Sequence, residues 1–410
     1  MDGRAVQLRR GKEMVLDGGD PFTRLREFAV AGEVAVVDLD AALGRGSNQD
    51  LIRRMVRLAP CRVGGGIRDA AAARRWLDAG ARKVMLGTAA EPALLSQLPR
   101  ERVVAAVDVR GGEVVVNGWR TRTGRDVLAT IARLAPYVGG FLMTQVEHEG
   151  GMAGFDRPLV EAAVAAAGGV RLTAAGGITT ADDIAWLDRR GADAQVGMAL
   201  YNGRLTLADA LIAPLRDPAD GLWPTVVCDE GGKALGLAWS KRESLRRAVA
   251  ERKGIYWSRS RREVWVKGAT SGNTQELLGV GLDCDRDTIR FLVRQGGAGF
   301  CHQGSWSCWG TDFDFDALER TMVARRDAPA DSSNTARLLA DPALLAAKLR
   351  EEAAELAAAR SPGEAVEEAA DVLYFTLAAL AARGASLKDV RQVLERRSLR
   401  VTRRPMRAKD

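Results

Sequence analysis

The sequence has few cysteines and no long apolar run. Its five cysteines are an odd, unevenly spaced set in 410 residues, which excludes a disulfide-stapled scaffold. Three of them, Cys284, Cys301 and Cys308, crowd into one short region and favour a metal site in a reducing compartment. The start lacks the apolar core of a signal peptide, and charges interrupt each later apolar stretch before membrane-spanning length. We therefore expect a cytoplasmic protein with no membrane partner.

The positive charge is spread thinly along the chain. The 60 Lys and Arg residues exceed the 53 acidic residues and give a net charge of +7. Only the tail RRSLRVTRRPMRAK concentrates basic residues, and no aromatic platform for stacked bases accompanies it. Small phosphorylated substrates account for the excess as well as a nucleic acid does, and we expect no nucleic-acid partner.

Three segments differ in composition and hydrophobic pattern, and the length of the chain also favours several domains. Residues 1–217 alternate short β-branched runs with helical patterns, as parallel-sheet proteins do. Residues 218–328 are rich in Trp and strand-like pieces, and the polar stretch RRDAPADSSN predicts a linker. Residues 329–410 have helical propensity and period throughout. The sequence predicts a multidomain protein: a barrel, a mainly β (α+β) domain and an all-α domain.

The first segment contains an internal repeat. CRVGGGIRDAAAARRWLDAGARKVMLGTAA matches RLTAAGGITTADDIAWLDRRGADAQVGMAL in its strand, Gly-Gly-Ile, helix, glycine and strand. Two halves of four βα units each make a (β/α)8 TIM barrel, with its chemistry at the carboxyl ends of the strands. A single glycine pair there is usually a tight turn, but repetition of the whole pattern favours two phosphate cradles. The candidate phosphate-binding residues are Gly65, Gly66, Gly87, Gly176, Gly177 and Gly197.

The motifs VVDLDAALGRGSN, VGGGIRD, AAVDVRGGEVVVNGW and TAAGGIT resemble the ProFAR isomerase family of histidine biosynthesis. The resemblance implies isomerisation of an aminoaldose to an aminoketose by paired aspartates, one in each half-barrel. It makes Asp108 the second of these aspartates and Thr144 an active-site threonine, while Glu149 stands where the family usually has Asp. A sister cyclase shares the barrel and both phosphate sites, and VNGWRTRTG favours the isomerase.

Aligning the two halves sets Met1 against Arg110, so the partner of Asp108 would fall two residues before Met1. The expectation is therefore a barrel that lacks most of its first strand, together with the aspartate on it. Loss of one of two acid/base residues typically lowers a rate by about 10²–10⁴. On this basis the isomerase would be weak or inactive, with an upstream start codon as the cause.

The stretch DCDRD carries Asp283, Asp285 and Asp287. In an extended strand these three would share one face and Cys284 the other, giving a hard oxygen site back to back with a soft sulfur ligand. Crowded carboxylates repel one another without a cation, which indicates Mg²⁺. Three thiolates from Cys284, Cys301 and Cys308 suit a catalytic Zn²⁺ with one open position. A solvated acidic turn and buried free cysteines are the alternatives for either motif alone.

With YWSRSRREVWVKGATSGNTQE and CHQGSWSC, this segment is similar to phosphoribosyl-AMP cyclohydrolase. The resemblance implies opening of the N1–C6 bond of a ribosylated adenine by a homodimer that uses Zn²⁺ and Mg²⁺, with zinc ligands from both subunits. It makes His302 a proton-transfer candidate. Asn273 stands where the family often has His.

The third segment holds four carboxylates at helical spacing. Glu352 and Glu355 share one helical face in KLREEAAEL, as Glu368 and Asp371 do in EEAADVLYF, so two packed helices can aim all four at Mg²⁺. Either helix alone is more typical of a solvated acidic surface. The pair resembles the all-α phosphoribosyl-ATP diphosphatases, which cleave pyrophosphate from a nucleoside triphosphate.

The three resemblances describe consecutive reactions. Phosphoribosyl-ATP loses pyrophosphate to give phosphoribosyl-AMP, the adenine ring of that product is opened to give ProFAR, and ProFAR is isomerised. The order of the domains along the chain is the reverse of the order of these reactions. The alternative is a bifunctional cyclohydrolase and diphosphatase whose barrel is a non-catalytic scaffold.

Overall fold

The computed structural model describes residues 1–9, 13–310, 313–329 and 333–403. The chain divides into two compact units, Met1–Gly304 with Arg396–Asp410, and Ser305–Glu395. Among the described residues, no helix has both the length and the apolar character needed to cross a membrane.

The amino-terminal half of the first unit alternates strands and helices, as the sequence predicts. Its strands are β1 (Ala5–Arg9), β2 (Glu13–Gly19), β3 (Val34–Val37), β4 (Cys61–Gly64), β5 (Lys83–Leu86), β6 (Val103–Arg110), β7 (Glu113–Val116), β8 (Thr121–Asp126), β9 (Gly140–Gln145), β10 (Leu172–Ala175) and β11 (Ala192–Gln195). Its helices are α1 (Pro21–Phe28), α2 (Leu39–Leu43), α3 (Gln49–Leu58), α4 (Ala70–Ala79), α5 (Pro92–Leu95), α6 (Val127–Leu134), α7 (Arg157–Ala166), α8 (Ala181–Asp188), α9 (Met198–Tyr201) and α10 (Leu207–Ile212).

These strands build a curled parallel sheet in the order β11-β10-β9-β6-β5-β4-β3. The strands β7 and β8 extend β6 as an antiparallel flap, and β1 pairs with β2 in a separate hairpin. Among the described strands, none bridges the two ends of the order, β3 and β11. The expectation that a first strand precedes Met1 stays a prediction.

Side-chain alternation divides the core of the sheet into two layers. Val103 and Ala105 on β6 point outward into the large cluster under the helices. Val104, between them, points inward and packs with Met85 and Leu142. Because successive strand residues face opposite sides, Asp108 on β6 shares the inner face with Val104. The strand therefore places a carboxylate inside the curl, near its carboxyl end.

The two halves of the repeat begin their helices in the same way. Asp69 accepts a hydrogen bond from Ala72 N and caps α4. Thr180 occupies the equivalent position and caps α8, with Asp183 completing a capping box. Side-chain oxygens at these positions satisfy backbone N–H groups that the first helical turn leaves unpaired. The sequence repeat thus reflects a structural repeat at each strand-to-helix turn.

The rest of the first unit is an α+β domain with a four-stranded sheet in the order β13-β12-β17-β16. Trp223, Tyr256 and Phe291 are fully buried and form part of its core. Only the β12–β17 pair in this sheet is parallel. The elements are β12 (Trp223–Cys228), β13 (Ala234–Ser240), α11 (Arg242–Glu251), β14 (Ile255–Ser258), β15 (Glu263–Val266), β16 (Gln275–Leu282) and β17 (Ile289–Gln295).

The second unit is helical, as the sequence predicts. Met322, Leu345 and Leu377 are buried in its core. Pro342 and Pro362 open the two longest helices, where the absent proline N–H costs no hydrogen bond. The helices are α12 (Phe315–Asp327), α13 (Asn334–Ala340), α14 (Pro342–Ala358), α15 (Pro362–Ala382) and α16 (Leu387–Ser398).

The segment after α16 packs against the barrel sheet's outer layer. The carboxylate of Asp78 accepts hydrogen bonds from Val401 N at 2.8 Å and Thr402 N at 3.0 Å. Arg102 donates to the carbonyl of Leu399 at 2.9 Å, and Val401 packs against the barrel core. We call residues 399–402 the carboxyl-terminal strap. Residues 404–410 of the basic tail lie outside the described residues.

Candidate active sites

One cavity of about 1160 Å³ lies inside the curl of the barrel sheet. Asp108, Thr144 and Glu149 line it together. The six glycines predicted to bind phosphate line it as well: Gly65, Gly66, Gly87, Gly176, Gly177 and Gly197. The cavity thus brings together residues that the sequence places in both halves of the repeat.

The glycines after β4 and β10 allow the closest approach between neighbouring loops. Gly65 has φ +93°, and a Cβ there would collide with the backbone of Asp38. Gly176 has φ +86°, and a Cβ there would lie 2.5 Å from Gln145 O. Both conformations are rare for residues with a side chain, and both contacts are with rigid backbone. Each half of the repeat therefore needs glycine at this junction, with or without a ligand.

Asp108 is held by two side chains at the carboxyl end of β6. It lies directly opposite Thr144 in the parallel pairing of β6 with β9. Burial raises the pKa of Asp108 above its usual range, while hydrogen bonds from Trp119 and Thr144 oppose that rise. Removal from water disfavours the charged form, and donated hydrogen bonds favour it.

Glu149 is a second carboxyl group in the same cavity, and it lies in the loop after β9. Burial first, and the negative charge of Asp108 second, raise the pKa of Glu149 to about 6. The pKa shift therefore shows that the two carboxyl groups interact. A carboxyl group that titrates near neutrality can both donate and accept a proton during turnover.

The DCDRD stretch forms a loop between β16 and β17, so the prediction of an extended strand with alternating faces is wrong. Asp283 Oδ1 accepts hydrogen bonds from Asp287 N and Thr288 N, both at 3.1 Å, and Arg286 has φ +66°. These local side-chain-to-backbone bonds replace the regular pairing of a strand. We call residues 283–287 the acidic loop.

The acidic loop still gathers the predicted carboxylates. Asp283, Asp285 and Asp287 each offer an oxygen atom, and the three atoms lie within 4.8 Å of one another. Burial acts to raise the pKa of Asp283, but hydrogen bonds from the backbone of Thr288 and neighbouring groups lower it overall. The loop thus presents a compact set of hard oxygen donors, the type that Mg²⁺ prefers.

The predicted zinc ligands differ in exposure. Cys284 is exposed in the acidic loop, and Cys301 is buried. Both belong to the first unit, while Cys308 belongs to the second. His302 is exposed beside Cys301. Asn273 Oδ1 accepts a hydrogen bond from Ala298 N at 2.9 Å, so its side chain fixes a neighbouring turn.

The helical unit gathers a second set of carboxylates. Oxygen atoms of Glu352 on α14 and of Glu355 and Glu368 lie within 4.8 Å of one another. Glu352 is buried, with 7% of its surface exposed. The pKa of Glu368 is raised by burial and then by the charges of Glu355, Glu352 and Asp371. Asp371, the fourth predicted ligand, is therefore close enough to act on this set. The described residues hold two such groups of three, and neither contains a cysteine.

Comparison with known proteins assigns a family to each segment. Residues 1–206, about half of the chain, match the family of histidine biosynthesis proteins. The chain belongs to the histidine biosynthesis protein family. Residues 236–310 match phosphoribosyl-AMP cyclohydrolase, and residues 315–398 match phosphoribosyl-ATP pyrophosphohydrolase.

Individual relatives of this family member are also named for histidine biosynthesis or one of its steps. An imidazole-4-carboxamide isomerase from Myxococcus xanthus is 40% identical over 223 residues, which are 49% of this chain and 93% of the relative. A histidine biosynthesis trifunctional protein from Saccharomyces bayanus is 46% identical over 201 residues, or 48% of this chain and 25% of the relative. That of Neurospora crassa is 43% identical over 203 residues, or 49% of this chain and 23% of the relative. The chain thus spans about a quarter of the length of these trifunctional proteins.

Two features of the histidine biosynthesis chain were beyond sequence reasoning. The pKa of Glu149 depends on burial and on Asp108, which a conservative Asp-to-Glu difference does not reveal. The bond of the Arg286 side chain to Asp188 on α8 also has no counterpart in the sequence pattern around DCDRD. The spacing of residues in the sequence was enough to predict the carboxylate sets and the glycine turns.

Proposed function

We propose that this chain catalyses three consecutive steps of histidine biosynthesis. The helical unit would convert phosphoribosyl-ATP to phosphoribosyl-AMP and pyrophosphate. The α+β domain would open the adenine ring of that product to give ProFAR, and the barrel would isomerise ProFAR. One observation carries the proposal: each of three segments with a matching family has its own set of carboxyl groups suited to that step.

For the isomerase step, we infer that Asp108 and Glu149 share the proton transfers. Sugar isomerisation needs a proton donor at one atom and an acceptor at another, and two coupled carboxyl groups with raised pKa values suit this task. Thr144 would orient Asp108 through its hydroxyl group. The glycine turns of the two halves, led by Gly65 and Gly176, would receive the two phosphates of ProFAR through backbone N–H groups.

For ring opening, the acidic loop would hold Mg²⁺ through Asp283, Asp285 and Asp287, whose clustered oxygens suit that ion. The thiols of Cys284, Cys301 and Cys308 suit zinc by their donor chemistry, and the family resemblance favours ligands shared between the two subunits of a homodimer. When bound, zinc would activate water for attack on the ring. His302, beside Cys301, would carry the proton.

For pyrophosphate release, the carboxylates of Glu352, Glu355 and Glu368 would hold Mg²⁺, with Asp371 beside them. Burial first, and the neighbouring carboxylates second, raise the pKa of Glu368, and a bound divalent cation would offset both effects. Mg²⁺ commonly binds substrate phosphates together with a few carboxylates. The ion would neutralise the charge that develops on the leaving pyrophosphate.

The second candidate is a bifunctional hydrolase whose barrel is a scaffold. Supplying the purified chain separately with phosphoribosyl-ATP, phosphoribosyl-AMP and ProFAR distinguishes the two. We expect turnover of all three, weakest with ProFAR as the sequence predicts, and loss of this third activity alone in Asp108→Asn. Turnover of the first two with no detectable ProFAR isomerisation would favour the scaffold, and failure of all three would reject the proposal.

A further inference from the structure

Arg286 lies in the middle of the acidic loop, but its side chain points to the barrel. Its guanidinium donates three hydrogen bonds to the carboxylate of Asp188: Nε to Oδ1 at 3.1 Å, Nε to Oδ2 at 3.3 Å and Nη2 to Oδ1 at 2.8 Å. Both side chains are only about one quarter exposed, at 25% for Arg286 and 22% for Asp188. Such a forked contact fixes direction as well as distance.

Backbone contacts fasten the same residue of the loop. Arg286 Nη1 donates to the carbonyl of Asp283 at 2.6 Å, and Arg286 O accepts from Arg216 N at 2.8 Å. Asp188 is the last residue of α8, where the helix dipole adds negative potential. The carboxylate and the helix end together favour a cation at this place. The acidic loop of one domain is therefore attached to a helix of the neighbouring domain in the same compact unit.

The direction of Arg286 matters because carboxylates nearer to it along the chain can compete for its guanidinium. Asp285 and Asp287 are its chain neighbours, and with Asp283 they form the set of three clustered oxygens. An arginine that turned inward would neutralise this set and occupy the space between the oxygens. Paired with Asp188, Arg286 leaves the three carboxylates open to a divalent cation.

We propose that Asp188 is a positioning residue for the cyclohydrolase step, because it holds Arg286 away from the acidic loop's metal-binding carboxylates. This rests on the proposed function of the loop as a Mg²⁺ site. Asp188 would act on this site through Arg286 and not through contact with the substrate. The barrel instead acts on the neighbouring site through one ion pair.

The test measures Mn²⁺ binding by electron paramagnetic resonance in the whole 410-residue chain. Glu352→Gln and Glu355→Gln serve as the common background, since they silence the helical unit's carboxylates. In this background, Asp188→Asn should weaken Mn²⁺ binding at least about tenfold, the usual effect of losing an outer-shell partner. Asp188→Glu should largely restore binding. Asp182→Asn is the matched control, because Asp182 is an exposed aspartate in the first turn of the same helix, at the end opposite Asp188.

The double variant Asp188→Asn with Arg286→Gln distinguishes the positioning of Arg286 from a purely structural role of the contact between the loop and α8. Without a competing cation, the carboxylates should recover most of their Mn²⁺ affinity, although the contact with α8 is lost. In the chain without the background changes, Asp188→Asn should raise the Mg²⁺ concentration for half-maximal cyclohydrolase activity and keep the rate at saturating Mg²⁺.

Each outcome has one meaning. Unchanged Mn²⁺ binding in Asp188→Asn overturns the positioning role, and so does a double variant that binds as weakly as Asp188→Asn. If the background chain binds no Mn²⁺, or if Asp285→Asn leaves its Mn²⁺ binding unchanged, the metal loop fails as part of the proposed function.

Discussion

Arg62 on β4 donates a 3.2 Å hydrogen bond to Thr173 on β10, its equivalent in the second half of the repeat. The same guanidinium pairs with Glu33 at 3.0 Å. Among the described residues, Arg62 Nε and Glu33 Oε1 have no hydrogen-bond partner. The two halves of the barrel thus meet across its interior through an ion pair that is only partly satisfied.

Removing one partner of this ion pair should lower the free energy of unfolding more than removing both partners. Arg62→Ala leaves the largely buried Glu33 carboxylate without a cation and should lower the free energy of unfolding by about 3 kcal/mol. Arg62→Met combined with Glu33→Gln should recover most of that loss, since no lone charge stays inside. Urea unfolding followed by intrinsic fluorescence measures the free energy of unfolding of each variant. Equal losses in the single and double variants would contradict it.

The coupling of Glu149 to Asp108 predicts a pH dependence. As an acid whose pKa is raised to about 6, Glu149 is protonated below pH 6 and ionised above it. If protonated Glu149 is the donor, the isomerase rate should fall as pH rises through 6. In Asp108→Asn, the pKa of Glu149 should fall but stay above its usual value, because burial is the larger cause. Carbon NMR of labelled glutamate measures the pKa of Glu149 in both proteins, and a pH profile of ProFAR turnover measures the rate. Exposed Glu147→Gln is the control.

Ionised Glu149 should also lower stability. Its pKa is higher in the folded than in the unfolded chain, so stability should decline as pH rises through the interval between the two values. Glu149→Gln should remove this decline. A pH profile of stability that is the same in both proteins would show that Glu149 is not buried as described.

Gly177 and Gly169 provide a matched pair for testing the glycine turns. Gly177 has φ +85°, and a Cβ there would collide with Gly154 O, whereas Gly169 has φ +89° and no atom within 4 Å of such a Cβ. Gly169→Ala should cost only backbone strain, about 1 kcal/mol. Gly177→Ala should also displace the loop and raise KM for ProFAR at least about tenfold. Similar KM values for the two variants would exclude a role of this turn in substrate binding.

A substitution in the helical unit should abolish pyrophosphate release without affecting ring opening. Glu352→Gln should reduce pyrophosphate release at least about 100-fold. Loss of a direct metal ligand should have a larger effect than loss of an outer-shell partner, which typically costs about 10- to 100-fold. Ring opening of supplied phosphoribosyl-AMP should continue. Glu351→Gln is the neighbouring control, because exposed Glu351 pairs with Lys348 and is not in the carboxylate set. Loss of both activities in a folded Glu352→Gln protein would disprove the separation.

The zinc content of the protein should depend on the thiols predicted to be its ligands. Cys301→Ser should empty the site and abolish ring opening, because hydroxyl groups bind zinc far more weakly than thiolates do. Cys61→Ser is the control, since that buried thiol lies in the barrel core. Mass spectrometry of bound metal checks the content. A fully active protein free of zinc would contradict this prediction.

Sequence reasoning succeeded where spacing alone determines position. The repeat predicted equivalent turns at Gly65 and Gly176, and helical spacing brought Glu352 and Glu355 to one face. It failed at the acidic loop, because hydrogen bonds that the Asp283 carboxylate accepts from Asp287 N and Thr288 N override strand propensity there. It could not find the Arg286–Asp188 pair, since the partners lie 98 positions apart and surface charges are common.

The carboxyl-terminal strap changes the entropy of the helical unit. Because residues 399–402 are fastened to the barrel by Asp78 and Arg102, Ser305–Glu395 unfolds as a closed loop rather than as a free tail. Closing a loop of that length lowers the conformational entropy of the unfolded segment and so raises its free energy, by up to about 4 kcal/mol. The helical unit therefore gains stability from a contact that none of its own residues makes.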